Sequence, residues 1–416
     1  MKYEISQLLP LLMLYVLIVI IFSSNTFEGD EGGYVEFASR LSEGYYSPPN
    51  DIKLWWGPGY PIVLLIFILL RIPWLAAKLL NALFLYGGVL YFYKTLNLYI
   101  SKRNSLISAY LFGLYPPLMR EVYLLLTENL VLFLICGFIF HLCVMHRDSI
   151  SSFFHLLMTS IHLGFLALTK IFFGYVILVG LMLFLILYVW YRKDIFKKTS
   201  YVYLIALVCC LPYLLYTYSL TNKIFYWGTS GGMSIYWMST PYKNEWGSWF
   251  SSENVQKLPE LAQHREFLDE ISGLSEVEMD SAFKRKAVYN ITHFPRKYLV
   301  NWMANIGRLL FSYPFSYGNH SLTTYFYLLP NMIIVVLFFL SAYPAVLRWK
   351  SIPEEIYSLL IFGLIYFGGT SLLSAYARQF LPVVPILLLW FSFVYIRMLK
   401  IEVRPEAEII AFRIGT

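Results

Sequence analysis

Two acidic residues on a glycine-flanked turn, Asp30 and Glu31, are the groups in this chain best placed to do chemistry. They lie in Glu28-Gly29-Asp30-Glu31-Gly32-Gly33, just past the first hydrophobic run and ahead of Tyr34, Phe37, Ala38 and Leu41. A carboxylate at the mouth of a membrane helix is costly to keep near lipid, so it faces water or serves a site. The glycines leave the backbone free to make a special turn beside it. Isolated charges recur at other span ends: Lys78, Arg120, Glu121, Glu128, Lys170 and Arg378. Arg378-Gln379 lies beside Pro382 and Pro385, where backbone groups must find new partners. A guanidinium there either marks the interface or grips a phosphate with its planar fork of donors. Arg120, Glu121 and Lys170 also fit ordinary hairpin-tip charges, and Lys78 a snorkelling cation. His293 and His320 read as surface residues rather than metal ligands.

The elements that must position these groups are membrane helices. The 416-residue chain is 58% hydrophobic and only 14% charged, against about 25% charged residues in soluble domains. Its mean hydropathy is +0.60. An all-α polytopic membrane protein follows. The run Leu8 to Phe22 has no small-residue cleavage site and reads as a retained first helix rather than a signal peptide. The net charge of +7 does not imply nucleic acid, because the basic residues sit in short loops between spans. Cys136, Cys143, Cys209 and Cys210 all fall inside hydrophobic runs, which excludes a disulfide framework and a cysteine zinc site in the outer loops.

Lys and Arg positions set the topology. Span one covers roughly residues 8–23. A loop at 24–73 follows, holding the acidic turn, Pro48-Pro49, Trp55-Trp56 and the short apolar run Ile62–Leu70. That run is too short to cross, and counting it as a crossing would put Lys94, Lys102 and Arg103 on the wrong side. Further spans are expected near 74–96, 105–124, 129–145, 153–169, 171–191, 201–219, 324–347, 355–374 and 379–399. The chain thus divides into a transmembrane module over 1–219, an outer polar region over 220–322, closing spans over 323–400 and a cytoplasmic tail over 401–416. With roughly ten spans, both termini are cytoplasmic. Helical periodicity in Val255–Leu268 and Val277–Tyr289 predicts a small helical outer region, and Asn301–Phe311 an amphipathic helix returning to the membrane. No internal repeat is evident. The acids and bases named above then collect at one face.

Several segments resemble the polyprenyl-phosphate-dependent glycosyltransferases of the GT-C fold, closest to the protein O-mannosyltransferase and aminoarabinose transferase group. Asp30-Glu31-Gly32-Gly33-Tyr34 is similar to that family's Asp-Glu-x-x-Tyr element after the first span. Trp56-Gly57-Pro58-Gly59-Tyr60-Pro61 is similar to its proline-rich element, with Pro-Gly where Pro-Pro is common. Lys78-Leu79-Leu80-Asn81-Ala82 stands where many members carry Arg-Leu-x-x-Ala. Leu126-Thr127-Glu128-Asn129 resembles an acidic entry to a later span, and Ala167-Leu168-Thr169-Lys170 a recurring Leu-Thr-Lys element. Ala377-Arg378-Gln379-Phe380-Leu381-Pro382-Val383-Val384-Pro385 resembles Arg-Tyr-x-x-Pro-x-x-Pro near the last helix. Residues 220–322 match nothing in the family.

The resemblance implies inverting hexosyl or pentosyl transfer from a polyprenyl phosphate, of the undecaprenyl type, to a hydroxyl of an envelope lipid, polysaccharide or protein. Asp30 becomes the base, and Glu31 orients Lys78 or the acceptor. Arg378, Lys170 and Lys78 hold the donor phosphate. Glu128, Tyr34, Tyr60 and Trp56 contact the acceptor or support the residues that do. No cofactor is required, although some family members use a divalent metal, for which Asp30, Glu31 and Glu128 are the available oxygen ligands. A bacterial inner membrane with the site facing outward is expected. The competing readings are a flippase of lipid-linked sugars and a polymerase or ligase of O-antigen type. The first should show repeats and mid-membrane charges. The second should use a diphosphate-linked donor.

Overall fold

A computed structural model describes residues 6–148, 150, 152–318, 323–403 and 410–414. His320 lies outside the described residues. The first helices are α1 (Leu9–Phe22), α2 (Glu31–Ser42), α3 (Gly59–Leu69) and α4 (Trp74–Leu96). They are followed by α5 (Lys102–Gly113), α6 (Pro116–Glu121), α7 (Glu128–Arg147), α8 (Ser152–Thr169), α9 (Phe172–Tyr191) and α10 (Asp194–Thr221). Among the described residues, seven helical segments are long and apolar enough to cross a membrane: α4, α7, α8, α9, α10, Thr324–Leu347 and Ala377–Met398. The protein is therefore an integral membrane protein.

The other expected spans take different forms. The 105–124 stretch is split into α5 and α6, because Pro116 and Pro117 cannot donate backbone N–H groups and push Tyr115 into an extended conformation. At 14 residues, α1 spans about 21 Å, short of the ~30 Å hydrocarbon core. The 11-residue α3 is shorter still, in line with its exclusion as a crossing.

Side-chain contacts gather opposite ends of the long helices into two clusters. At one end, Arg147 closing α7 meets Glu355 at 3.2 Å, and Tyr99, just past α4, donates to the same carboxylate at 2.9 Å. Lys193 after α9 pairs with Glu354 there. At the other end, the first turns of α4 and α7 and the last turn of α8 meet the Asp30 turn and Arg378. The charges at either end of α7, Glu128 first and Arg147 last, complement its dipole.

Between α10 and the closing helices lies a polar module. It contains α11 (Ser230–Met238), α12 (Ser252–Lys257), α13 (Arg265–Ile271), α14 (Glu276–His293) and α15 (Pro295–Phe311). The predicted helix over Val255–Leu268 is broken by Pro259, whose preceding residue Leu258 is extended. By contrast α14 runs as expected, opened by a capping box between Ser275 and Glu278. Met233, Tyr236, Trp237, Val255, Leu261 and Phe283 give this module its own apolar core.

The chain closes with α16 (Thr323–Leu347), α17 (Glu354–Ser371), a 3-10 turn over Ala377–Val383 and α18 (Val384–Phe393). The tail beyond the last helix forms an antiparallel hairpin, β1 (Leu399–Val403) with β2 (Ile410–Ile414), in register Leu399 with Ile414. The β-branched residues of both segments suit it.

Candidate active site

Asp30 is held by a turn built for it. Gly29 adopts φ +55, a left-handed conformation that glycine takes without strain. Asp30 occupies the N-cap position of α2, yet its carboxylate makes no capping bond. It reaches instead to the guanidinium of Arg378, with Oδ2 to Nη2 at 2.5 Å. Two groups separated by almost the whole sequence are thus brought into contact.

Arg378 and Lys170 share a second carboxylate. Lys170 Nζ donates to Glu128 Oε1 at 2.8 Å, and Arg378 Nε lies 3.8 Å from the same oxygen. The side chains of Asp30, Arg378 and Lys170 keep 37%, 29% and 20% of their surface open, whereas Glu128 keeps 3%. One carboxylate and two cations are therefore partly open to solvent side by side, and the buried Glu128 pairs with both cations. Lys170 is positioned by the proline-rich loop. A Cβ on Gly57 would sit 2.2 Å from the Leu168 carbonyl, and one on Gly59 would sit 2.5 Å from the Thr169 hydroxyl. Only glycine permits that approach.

The structure corrects the expectation for Lys78. Its ammonium is buried, 3.4 Å from Glu31 Oε1, and donates to the Ser24 carbonyl at 3.1 Å. Glu31 is fully buried and accepts from the Leu125 N–H at 2.6 Å and the Glu28 N–H at 2.7 Å. A phosphate could reach Lys78 only by breaking this pair, and removing one partner of a buried pair costs about 3–5 kcal/mol. Glu31 and Lys78 accordingly staple the Asp30 turn to α4 and to the α6–α7 loop. Tyr60 is likewise turned inward, donating to Asn81 Oδ1 at 3.2 Å, while Asn81 donates to the Leu124 carbonyl at 2.7 Å.

Tyr34 and Trp56 lie nearer the Asp30 cluster. Their rings pack at 5.2 Å, and Trp56 rests on Gly33, where any Cβ would fall 2.0 Å from the indole. Burial, then the nearby Glu128 and Asp30 carboxylates, raise the Tyr34 hydroxyl well above its usual pKa, so it stays a neutral donor. Glu121 is buried beside this group. Asn129 donates to the Glu121 carbonyl at 2.7 Å, and among the described residues Glu121 Oε2 has no hydrogen-bond partner.

Three residues escaped the sequence reading: Asn301, Asn305 and Arg308 on α15. Arg308 is fully buried and donates to the carbonyls of Ala375, Trp246, Pro314 and Gly247 at 3.0, 3.1, 3.0 and 2.9 Å. Asn305 donates to the Ser371 and Leu373 carbonyls and accepts from the Ala375 N–H. Asn301 ties the end of α11 to α15 through the Met238 and Thr240 carbonyls. Segment 371–375 runs directly into Arg378, so the polar module fixes where that guanidinium stands. The signal was present: Lys297, Asn301, Asn305 and Arg308 recur at helical spacing on one face of α15.

Among the described residues no three His, Cys, Asp or Glu side chains are grouped to hold a metal ion. Glu31 is consumed by its own staple, and Glu128 by two cations.

No protein-family model matches the chain, and no curated protein matches it. Among solved structures, it is similar to the archaeal oligosaccharyltransferase AglB from Archaeoglobus fulgidus, in complex with an inhibitory peptide and a dolichol-phosphate, with a TM-score of 0.54 at 12% identity. That match covers 94% of this chain and 50% of AglB, so the chain spans about half the length of that protein. ArnT from Cupriavidus metallidurans, bound to undecaprenyl phosphate, is matched with a TM-score of 0.44 at 11% identity, over 95% of this chain and 77% of ArnT. The architecture is that of a GT-C type membrane protein, as its motifs led one to expect.

Proposed function

We propose that this protein is a membrane glycosyltransferase that moves a sugar from a polyprenyl phosphate to an acceptor hydroxyl, on the outer face of the membrane. The observation that carries the reading is the meeting of Asp30, Arg378 and Lys170 in one partly open cluster around Glu128. AglB, which shares the fold, was solved with a dolichol-phosphate, itself a polyprenyl phosphate.

The chemistry follows from the geometry. Displacement at an anomeric carbon passes through an oxocarbenium-like transition state. Negative charge grows on the leaving phosphate, and Arg378 with Lys170 receives it. Asp30 takes the proton of the incoming hydroxyl. Asp30 Oδ2 accepts from Arg378. A donor phosphate competes for that guanidinium and frees the carboxylate, so the base becomes available when the donor is seated. Attack from the face opposite the phosphate inverts the anomeric centre.

The discriminating experiment supplies the purified protein with a labelled sugar on polyprenyl monophosphate and, separately, on polyprenyl diphosphate. Transfer from the monophosphate is expected. Use of the diphosphate alone would favour the polymerase reading, and movement of intact donor across vesicles without transfer would favour the flippase. EDTA at millimolar concentration is expected to leave the transfer rate unchanged, and loss of activity reversed by Mg2+ or Mn2+ would contradict this.

A further inference from the structure

Beside the polar module, and separate from the Asp30 cluster, lies a cavity of about 450 Å3. Its walls come from two regions. Trp55 is contributed by the first loop, whereas Trp249, Met279 and Phe283 come from the module, with Asp269 and Glu276 among the polar lining. We propose that this cavity is a sugar-binding subsite, which holds a non-anionic residue of a glycan acceptor by stacking on Trp55 and Trp249. This rests on the transfer reading above for the identity of the ligand as acceptor.

The composition of the lining selects the ligand. Indole faces offer broad apolar surface to the C–H face of a pyranose ring, and their rigidity makes ordering them cheap. Sugar hydroxyls need acceptors. Asp269 accepts from Gln256 at 3.2 Å, and Glu276 accepts from Thr229 at 3.0 Å and from the Leu54 backbone, while a carboxylate offers about four lone-pair sites. Asp280, also in the lining, is committed to the Tyr226 hydroxyl at 2.8 Å, the Gly232 N–H at 2.7 Å and Lys284 at 2.7 Å. Among the described residues no Lys or Arg lines the cavity. An anionic sugar would meet three carboxylates and no lining cation to offset them, whereas a neutral or amino sugar finds acceptors. The volume also lies within the roughly 300–1,000 Å3 of ligand sites.

Position links the cavity to the chemistry. The Trp55 ring lies 6.4 Å from Trp56, and Trp56 lies 5.2 Å from Tyr34, which stands beside Asp30 and Glu128. The Thr229 N–H bonds the Leu54 carbonyl at 3.0 Å, which clamps this loop to the module. The Trp55-Trp56 pair thus links the wall of the cavity to the Asp30 cluster. A glycan seated in the cavity extends past this wall toward Asp30.

The test is equilibrium binding to the full-length protein in detergent, measured by ligand-observed NMR. The probes are neutral tetrasaccharides of glucose, mannose and galactose, a glucosamine tetramer and tetragalacturonate. At least one neutral or amino tetramer is expected to bind the wild type, and Trp249→Ala to weaken it about tenfold, the worth of one aromatic contact. Asp269 is exposed, so Asp269→Lys leaves the fold intact; it should weaken the glucosamine tetramer and improve tetragalacturonate. Asp30→Asn should leave binding unchanged. Failure of every non-anionic tetramer to bind, equal binding by Trp249→Ala, preference of the wild type for tetragalacturonate, or displacement of the sugar by a serine-rich peptide would each overturn the proposal. Binding that persists in a protein unable to transfer sugar would sink the transfer reading and leave the subsite standing.

Discussion

Asp30→Asn is expected to abolish sugar transfer while leaving the protein folded and able to bind its lipid donor. Removal of a positioned base typically costs about 10²–10⁴ in rate. The substitution is nearly isosteric, and Asp30 makes no capping bond that the fold depends on. An amide can still accept from Arg378, so the guanidinium keeps a partner. The measurement is initial rate with labelled polyprenyl-phosphate sugar, read beside thermal stability and donor affinity. A variant that keeps more than a tenth of the wild-type rate would show that Asp30 is not the base. The companion Glu31→Gln behaves differently: it leaves buried Lys78 without a counter-charge, and so lowers stability along with rate.

Arg308→Leu is expected to act at a distance. The guanidinium supplies four main-chain carbonyls drawn from the 246–247 loop, Pro314 and Ala375. Burial lowers its pKa to about 10, still above neutrality, so it remains a cation with all its donors. Each buried acceptor left unpaired costs about 1–3 kcal/mol, so the loss should be on the order of 3 kcal/mol or more. Because Ala375 lies just ahead of Arg378, donor affinity should fall together with stability. Arg308→Lys should recover only part of either, since three donors on one nitrogen cannot span the same carbonyls. Proteolysis of the polar module and donor titration measure the two effects. A variant with normal donor binding would separate the module from the site.

The site was legible where a charge stood alone in apolar surroundings. Asp30, Glu128, Lys170 and Arg378 each sit at a span end, where only water or a partner can justify the charge. Their convergence needed nothing beyond alternating spans. What could not be read was which acid meets which base. Asp30 and Glu31 are adjacent, yet successive residues entering a helix point about 100° apart, so one faces the open cluster and the other the core. The same direction sends Lys78 inward to Glu31. Asn305 and Arg308 were hidden because their partners are carbonyls, and a carbonyl leaves no trace in side-chain chemistry. The split at Pro116-Pro117 was readable from backbone sterics, but the charge pattern at 102–128 is the same for a broken span as for a straight one. The terminal hairpin follows a helical run without a turn motif that would announce it.

The lipid phosphate is the group on which the proposed chemistry turns. Native mass spectrometry of the purified protein titrated with undecaprenyl phosphate reads its binding directly. The wild type is expected to hold one lipid, Arg378→Gln to lose it at the same concentration, and Lys170→Gln to hold it more weakly. Undiminished retention by Arg378→Gln, in a folded protein, would place the phosphate elsewhere and contradict the assignment of the cluster.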